Sequence, residues 1–197
     1  MTEASTSAKA VSVTEMGIPD GYVPPLGYEG QILDGGHTRI EVSSRTKELA
    51  QIHRRLVENF TFPCKVRYVK LTDRQDGQYQ KPKSYVAVNV GREIIIEALM
   101  HLQELIYHDG RHQLWIVGLQ GEQIILDELG MIYLYPDDFR FRDVLEELGL
   151  TEKSSSDKSY QTMSQRDYVM VNFSQLADEQ EATLLQSIGF IQDTYLQ

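Results

Sequence analysis

Three short apolar segments that follow one another closely place the strongest constraint on the fold of this chain. Residues 113–119, 122–126 and 131–135 each have the length and residue types of a β-strand. Residues 120–121 alone separate the first pair, and residues 127–130 alone separate the second. A crossover between parallel strands needs about a dozen residues or more, so turns this short require antiparallel neighbours. The sequence therefore predicts an antiparallel sheet.

Amphipathic and β-rich segments on either side of these strands complete the predicted order of elements. Ser44 and Asp138 stand where the N-caps of two helices are expected. The predicted helices are 45–59, 92–108, 139–149 and 179–188, and the further predicted strands are 65–72, 84–90 and 167–173. The order is α-β-β-α-β-β-β-α-β-α. It predicts an α+β fold with a single, mainly antiparallel sheet of about five to six strands and helices packed on it.

Changes in composition along the chain predict four regions. Residues 1–30 are rich in Ser, Thr, Gly and Pro and have no hydrophobic periodicity. We therefore expect a disordered N-terminal arm, with a docking peptide anchored by residues 22–28 as the alternative. The α+β core domain is expected at 31–150. A polar linker at 151–166 then leads to a C-terminal strand-helix extension, 167–197, that packs either on the core or on a partner.

The predicted order of elements between residues 44 and 149 is similar, at the level of topology, to the small α+β modules of the Roadblock type. It is more distantly like the acidic dimeric chaperones that serve secretion systems. No residue motif accompanies either resemblance, and a shared fold does not determine a function. What the resemblance implies is a dimeric binding module.

The distribution of charge limits the partners that the chain can bind. A net charge of −10 argues against a general nucleic-acid binder, because phosphate groups are neutralised by clustered Lys and Arg. Residues 43–83 contain ten basic and four acidic residues, whereas 121–150 contain eight acidic and two basic ones. This polarity is typical of a basic face for an acidic partner, of head-to-tail self-association, or of two solvated surfaces that differ in charge.

The sequence also predicts the compartment. The N-terminus has no basic start followed by an apolar segment, and no apolar run approaches the roughly 18 residues that a membrane span needs. Cys64 is the single cysteine, so no intrachain disulfide can form. These features predict a cytoplasmic protein that does not associate with membranes.

One group of side chains could hold a metal ion. Glu97, His101, Glu104 and His108 are separated by four, three and four residues, so on one continuous helix they share a stripe. Imidazole and carboxylate groups at such spacing are ligands for a divalent metal. The alternative is a solvated polar face on which each Glu pairs with a His one turn away.

Aromatic and basic side chains are the candidates for contact with a protein partner. Tyr133 and Tyr135 share one face of a strand, while Ile132 and Leu134 share the other. If the core lies on the aliphatic side, the tyrosines are exposed and can form a binding patch. Trp115, which lies in a strand that is apolar on both faces, is expected in the core. The predicted partner-binding residues are Tyr68, Tyr85, Tyr133, Tyr135, Arg54 and Arg55.

The motifs of common enzyme classes do not occur in the chain. The sequence has no phosphate-binding Gly-x-x-x-x-Gly-Lys-Ser/Thr loop, no Gly-x-Gly-x-x-Gly and no Gly-x-Ser-x-Gly. The leading hypothesis is therefore a non-catalytic interaction protein, of an adaptor, regulatory or chaperone-like kind, that needs no cofactor. It would bind a protein partner or a second copy of itself through an exposed sheet or helix surface. The alternative is a small metal-dependent enzyme that uses the Glu/His stripe.

Overall fold

A computed structural model of the chain describes residues 8–72, 82–154, 160–170 and 175–193. Within these ranges the strands are β1 (Ala10–Ser12), β2 (Gly27–Ile32), β3 (Thr38–Ser43), β4 (Cys64–Lys70), β5 (Lys83–Val90), β6 (His112–Val117), β7 (Gln123–Leu126), β8 (Ile132–Tyr135), β9 (Tyr168–Met170) and β10 (Ile191–Asp193). The α-helices of the same ranges are α1 (Thr46–Val57), α2 (Arg92–His101), α3 (Phe139–Glu147) and α4 (Gln175–Ser187), and a π-helical turn covers Glu104–His108. None of the helices in these ranges is both long and apolar enough to cross a membrane.

Eight strands form the main sheet, in the order β10-β5-β4-β6-β7-β8-β3-β2, and each neighbouring pair is antiparallel. A second sheet pairs β1 with β9. The predicted α+β class and the antiparallel pairing are confirmed. The prediction of a single sheet of five to six strands is wrong, because the main sheet is larger and a second sheet is present.

The strands that the sequence did not indicate lie mostly at sheet edges. β2 has the sequence Gly-Tyr-Glu-Gly-Gln-Ile, which is short of β-branched residues and does not alternate. It forms because it pairs along its whole length with β3. The glycine pair Gly35-Gly36, which suggested a turn into the first helix, instead closes this hairpin, and both residues have positive φ. Pairing with a neighbouring strand, rather than local propensity, decides these elements.

All four helices pack on one face of the main sheet, which we call the inner face. Alternate residues of the strands point to this face, and Val66, Leu114, Ile116, Ile124 and Leu134 are among those that are almost completely buried. The apolar stripes of the helices belong to the same cluster of buried residues. The main core therefore lies between the sheet and a one-sided layer of helices.

The boundaries of two predicted helices differ from the structure. The N-cap of α1 is Arg45 rather than Ser44, and no side chain caps it. The segment predicted as one helix, 92–108, is divided, because α2 ends at His101 and the π-helical turn follows. That turn packs against α1 and α4 and buries Leu105, Ile106 and Tyr107 in succession. One face of a regular α-helix does not hold three consecutive residues, so tertiary packing overrides the helical period here. The predicted N-cap Asp138 of α3 is confirmed, since its carboxylate accepts a hydrogen bond from the Arg140 backbone N–H.

The C-terminal region packs on the core of its own chain. Strand β10 pairs with β5 and so extends one edge of the main sheet. Glu181 of α4 accepts hydrogen bonds from the Tyr68 hydroxyl and from Lys70 Nζ, and Arg67 forms an ion pair with Asp193 at 3.2 Å. These contacts join the last described residues to the centre of the sheet.

The region predicted as a disordered arm contains two strands in the structure. β2 belongs to the main sheet, and β1 pairs with β9 of the C-terminal region. Lys9, which precedes β1, is almost completely buried and donates a hydrogen bond to the carbonyl oxygen of Ile106 at 3.2 Å. The division of the chain into four regions stays a prediction, but β1 and β2 are both paired with other strands of the fold.

A buried histidine in α1 makes the stability of the fold depend on pH. His53 is completely buried, and its Nδ1 shares a hydrogen bond with the Tyr107 hydroxyl at 3.1 Å. Burial lowers the pKa of His53 from 6.5 to about 3, and the charge of Lys9 acts in the same direction. The ring therefore stays neutral in the folded state at pH values where the unfolded chain binds a proton.

We predict that His53→Gln flattens the dependence of stability on pH in mildly acidic solution. In the natural chain the neutral His53 ring contributes fully to the free energy of unfolding at pH values above its unfolded pKa of about 6.5. As the pH falls from there towards 3, this contribution decreases by up to about 1.4 kcal/mol per pH unit, because only the unfolded chain binds the proton. Urea denaturation at pH values from 7 to 4.5 measures the slope. The control His101→Gln retains His53 and is expected to retain its contribution. Equal slopes in both variants would contradict the assignment.

Candidate protein-binding surface

The face of the main sheet opposite the helices, which we call the outer face, carries regular rows of side chains across the strands. One row runs from Val86 of β5 through Arg67 and Trp115 to Ile125 and Tyr133 of β8. Each pair in this row is directly opposed, so the side chains touch their neighbours across the strands. The row continues to Ile191 at the β10 edge and to Glu41 on β3. The outer face is therefore a continuous surface rather than a set of isolated side chains.

Apolar residues dominate the centre of this face. We define the outer-face patch as Val86, Trp115, Val117, Ile125 and Ile191. Ile191 is 73% exposed, and the other four are half-buried. None of them belongs to the buried core, and within the described residues no helix covers them. Arg67 lies between Val86 and Trp115 in this row, and an apolar surface that includes an aromatic and an arginine side chain is typical of an interaction site.

Polar contacts hold the largest side chain of the patch in place. The Trp115 indole N–H donates to Gln113 Oε1 at 3.0 Å, and Gln113 in turn donates to Glu128 at 2.7 Å. The guanidinium carbon of Arg67 lies 6.0 Å from the Trp115 ring centroid, and Arg67 Nε donates to the Ser84 hydroxyl at 2.8 Å. Because these rotamers are already ordered, a partner that contacts Trp115 loses less conformational entropy on binding.

The other end of the outer face is covered by the chain itself. The hydroxyl of Thr162 donates to Glu41 at 3.3 Å, and Met163 packs with Met131 against Tyr133. Burial raises the pKa of the Tyr133 hydroxyl strongly, and the nearby carboxylate of Asp127 adds to this effect. The open part of the face is thus limited to the outer-face patch and its border.

The structure separates the predicted partner-binding residues. Tyr133 and Tyr135 lie on the outer face as expected, and both contact Arg39, whose Nη1 donates to the Tyr135 hydroxyl at 3.4 Å. Tyr68 is completely buried on the inner face, and Tyr85 packs against the same core. The sequence could not separate these pairs, because all four tyrosines lie in strands of similar composition.

The two predicted arginines lie elsewhere again. Arg54 and Arg55 are on α1, in the helix layer, where both pair with Glu58. Arg55 also bridges to Glu147 of α3 at 3.2 Å. Arg55 thus joins two helices on the side opposite to the outer-face patch, and neither arginine contributes to that patch.

Trp115 lies at the centre of the outer-face patch rather than in the core, where the sequence predicted it. Its strand is apolar on both faces, so alternation alone could not indicate which face holds the core. The register does, because Trp115 is opposite Arg67 and Ile125, whereas its neighbour Ile116 is opposite Val66 and Ile124. Arg67, a charged residue of the neighbouring strand β4, indicates that the face carrying Trp115 is directed towards solvent.

The four predicted metal ligands do not come together. Glu97 and His101 are exposed on α2, whereas Glu104 and His108 lie half-buried on the π-helical turn. Because the helix is interrupted between the two pairs, the common stripe does not form. Across the part of the chain that the structure describes, no group of three or more His, Cys, Asp or Glu side chains is arranged to hold a metal ion.

The single cysteine of the chain, Cys64, lies in the buried core. Cys64 is 1% exposed, and its thiol faces the carbonyl oxygen of Thr61 at 3.5 Å. Burial, followed by the charge of Glu122, raises the pKa of Cys64 to about 12. A buried thiol with a raised pKa is typical of a structural cysteine.

Comparison of the chain with protein-family models, with curated proteins and with solved structures finds no match in any of the three. A proposal about function must therefore come from the geometry of the outer face itself.

We predict that two adjacent isoleucines of β7 differ sharply in their contribution to stability. Ile124 is completely buried on the inner face, so Ile124→Ala should cost about 2–5 kcal/mol. Ile125 is half-exposed on the outer face, so Ile125→Ala should cost about 1 kcal/mol or less. Urea unfolding followed by fluorescence at low protein concentration compares the two. Equal losses would mean that the outer face is covered as fully as the inner one.

Proposed function

We propose that this chain is a non-catalytic protein-interaction module, and that the partner bound by its outer-face patch is a second copy of the chain. The observation that carries the proposal is the ordered, half-exposed Trp115 at the centre of an apolar surface without covering helices. Trp and Arg are enriched in protein interfaces, where a central aromatic side chain often supplies much of the binding energy.

The shape of the surface favours contact with another sheet. An open antiparallel sheet buries its second apolar face when it packs on an equivalent sheet, with side chains from both filling a layer about 10 Å thick. A twofold axis makes such contacts with one patch on each copy. Trp115 and Ile125 lie on β6 and β7, the two middle strands of the main sheet, so a second copy can reach both side chains together.

The charges at the two ends of the patch are complementary under a twofold axis. The exposed Lys65 lies at one end of its strand, in the row of Val117. At the other end, Glu128 accepts the hydrogen bond from Gln113. If the axis passes near Trp115 and across the strands, Lys65 of each copy faces Glu128 of the other. Opposite charges in this arrangement favour one register of association over others.

We predict that the chain is a dimer at tens of micromolar and that Ile125→Lys makes it a monomer. A lysine at the centre of the patch would leave a buried, unpaired charge in the interface. The matched control is Ile94→Lys, which places the same substitution on an isoleucine that is 43% exposed in the helix layer. Size-exclusion chromatography with light scattering measures the mass. A monomeric natural chain, or equal effects of the two substitutions, would reject the proposal.

A charge exchange tests the register of the dimer. Lys65→Glu should weaken dimerisation about tenfold, since it brings two acidic side chains together, and Lys65→Glu combined with Glu128→Lys should restore it. The emission of Trp115, which is the single tryptophan of the chain, reports the dissociation constant during dilution. Failure of the double variant to recover affinity would show that the two residues do not meet across the interface.

A further inference from the structure

Two segments that lie far apart in the chain form a small unit over one end of the outer face. We define the clasp as residues 8–22 together with residues 161–170. Its strands β1 and β9 pair with each other, and across the part of the chain that the structure describes their sheet is separate from the main one. The clasp therefore lies against the main sheet without taking part in its strand pairing.

Polar contacts join the two segments of the clasp firmly. Arg166 Nε donates to the Ser12 hydroxyl at 2.7 Å, and Arg166 Nη2 donates to Asp20 at 2.6 Å. The guanidinium of Arg166 also lies 4.2 Å from the centroid of the Tyr22 ring, whose hydroxyl donates to the carbonyl oxygen of Gln161. Because these contacts and the β1–β9 pairing are all internal to the clasp, its two segments move together.

The clasp contacts the main sheet through a small apolar cluster. Ala10 and Met163 of the clasp pack with Met131, which directly precedes β8, and these three buried residues form a cluster separate from the main core. Tyr133 is partly buried against them. The stabilisation from apolar burial scales with the area buried, so detaching the clasp costs much less free energy than unfolding the main core.

Two further features weaken the closed position of the clasp. A cavity of about 310 Å³ lies between the clasp and the start of α1, so the contact there is incompletely packed. Lys9 is almost completely buried, and this burial lowers the pKa of Lys9 well below its usual value, although the charge of Asp127 acts in the opposite direction. A buried ammonium group and an unfilled cavity both favour release of the clasp into solvent.

The surface under the clasp continues the outer-face patch. Tyr133 is directly opposite Ile125 of the patch in the pairing of β7 with β8. Met131 and Leu129 lie beside Tyr133 in the small apolar cluster. Release of the clasp would therefore extend the apolar surface from Ile125 to the end of β8 without a gap.

We propose that the clasp is an autoinhibitory cover, and that its opening strengthens the association of two copies of the chain through the enlarged outer face. This inference rests on the proposed function. With the clasp closed, a second copy reaches only the outer-face patch. With the clasp open, it can bury Tyr133 and Met131 together with Ile125, so the open form dimerises more tightly. By thermodynamic linkage, dimerisation in turn favours opening.

Reaction of buried sulfur atoms tests whether the clasp opens by itself. Met131 and Met163 are 1% and 3% exposed under the clasp, Cys64 is 1% exposed in the main core, and Met100 is 40% exposed on α2. Brief oxidation with dilute hydrogen peroxide follows the methionines, with Met100 as the accessible reference, and iodoacetamide labelling follows the thiol. Mass spectrometry of peptides measures both reactions in urea concentrations below the unfolding transition.

We expect Met131 and Met163 to react at a common rate that changes little with urea, whereas labelling of Cys64 rises steeply. A local opening exposes little surface and so depends weakly on urea, while opening of the main core exposes much more. If all three residues share one urea dependence, the clasp leaves only when the whole chain unfolds, and the proposal is overturned.

The variant Ala10→Lys should hold the clasp open. A lysine at this position would place a charged group in the small apolar cluster, beside Lys9 and Arg45 of the same cavity. We expect oxidation of Met131 to become about tenfold faster. The dissociation constant of the dimer, followed by the emission of Trp115 during dilution, should fall about tenfold.

A milder variant and a matched control accompany this test. Thr162→Val, which removes the hydrogen bond to Glu41, should act in the same direction by a few-fold. The control Val169→Lys adds the same charge to a residue of β9 that is 42% exposed, and it should change neither measurement. Labelling of Cys64 at the natural rate shows that the main core is intact. If Ala10→Lys fails this check, Thr162→Val decides.

The oxidation and dimerisation measurements separate this inference from the proposed function. A natural chain that dimerises, with a dissociation constant that neither clasp variant lowers, would overturn the autoinhibitory role and leave the dimer intact. Equal effects of Ala10→Lys and Val169→Lys would overturn it as well. A chain that stays monomeric in its natural form and in both clasp variants would reject the dimer itself.

Discussion

Burial of one face of an eight-stranded antiparallel sheet is the interaction on which the rest of this structure depends. Every strand of the sheet has two faces, and the four helices can cover only one of them without a second helix layer. Inner-face residues such as Ile116, Ile124 and Leu134 lose nearly all contact with water, and at about 25 cal/mol per Å² this burial is the main stabilising contribution. The opposite face is left with partly exposed apolar side chains as a direct consequence.

The outer-face patch arises from this one-sided arrangement. It is open because, among the residues that the structure describes, no helix lies over Trp115 and Ile125. Its border is set by Thr162 and Met163, which cover the far end of the same face. A different segment, at the N-terminus, is held by buried Lys9 and by the pairing of β1 with β9, and it lies beside the start of α1.

The candidate surface was only partly predictable. Alternation in β8 predicts that Tyr133 and Tyr135 share a face opposite to that of Ile132 and Leu134, and they do lie together on the outer face, where Met163 covers Tyr133. The burial of Tyr68 could not be predicted, because it depends on α4. The Tyr68 hydroxyl donates a hydrogen bond to Glu181 of that helix, which is 113 residues away along the chain. The Glu/His stripe depends on tertiary structure in a similar way. Its spacing assumes a continuous helix, whereas the second half of the segment is a π-helical turn that packs against α1 and α4.

Alternation and short turns in the sequence determined the antiparallel core strands, the amphipathic helices and the N-cap at Asp138, because these are properties of neighbouring residues. Tertiary structure alone decided the number of strands, since β2 and β10 have weak local propensity and form by pairing with β3 and β5. Tertiary structure also decided which face of β6 is exposed to solvent. The segment Leu114-Trp115-Ile116 is apolar on both faces of its strand. The register of β6 against β4 and β7 decides which of these faces is buried, and β4 and β7 lie far from each other in the chain.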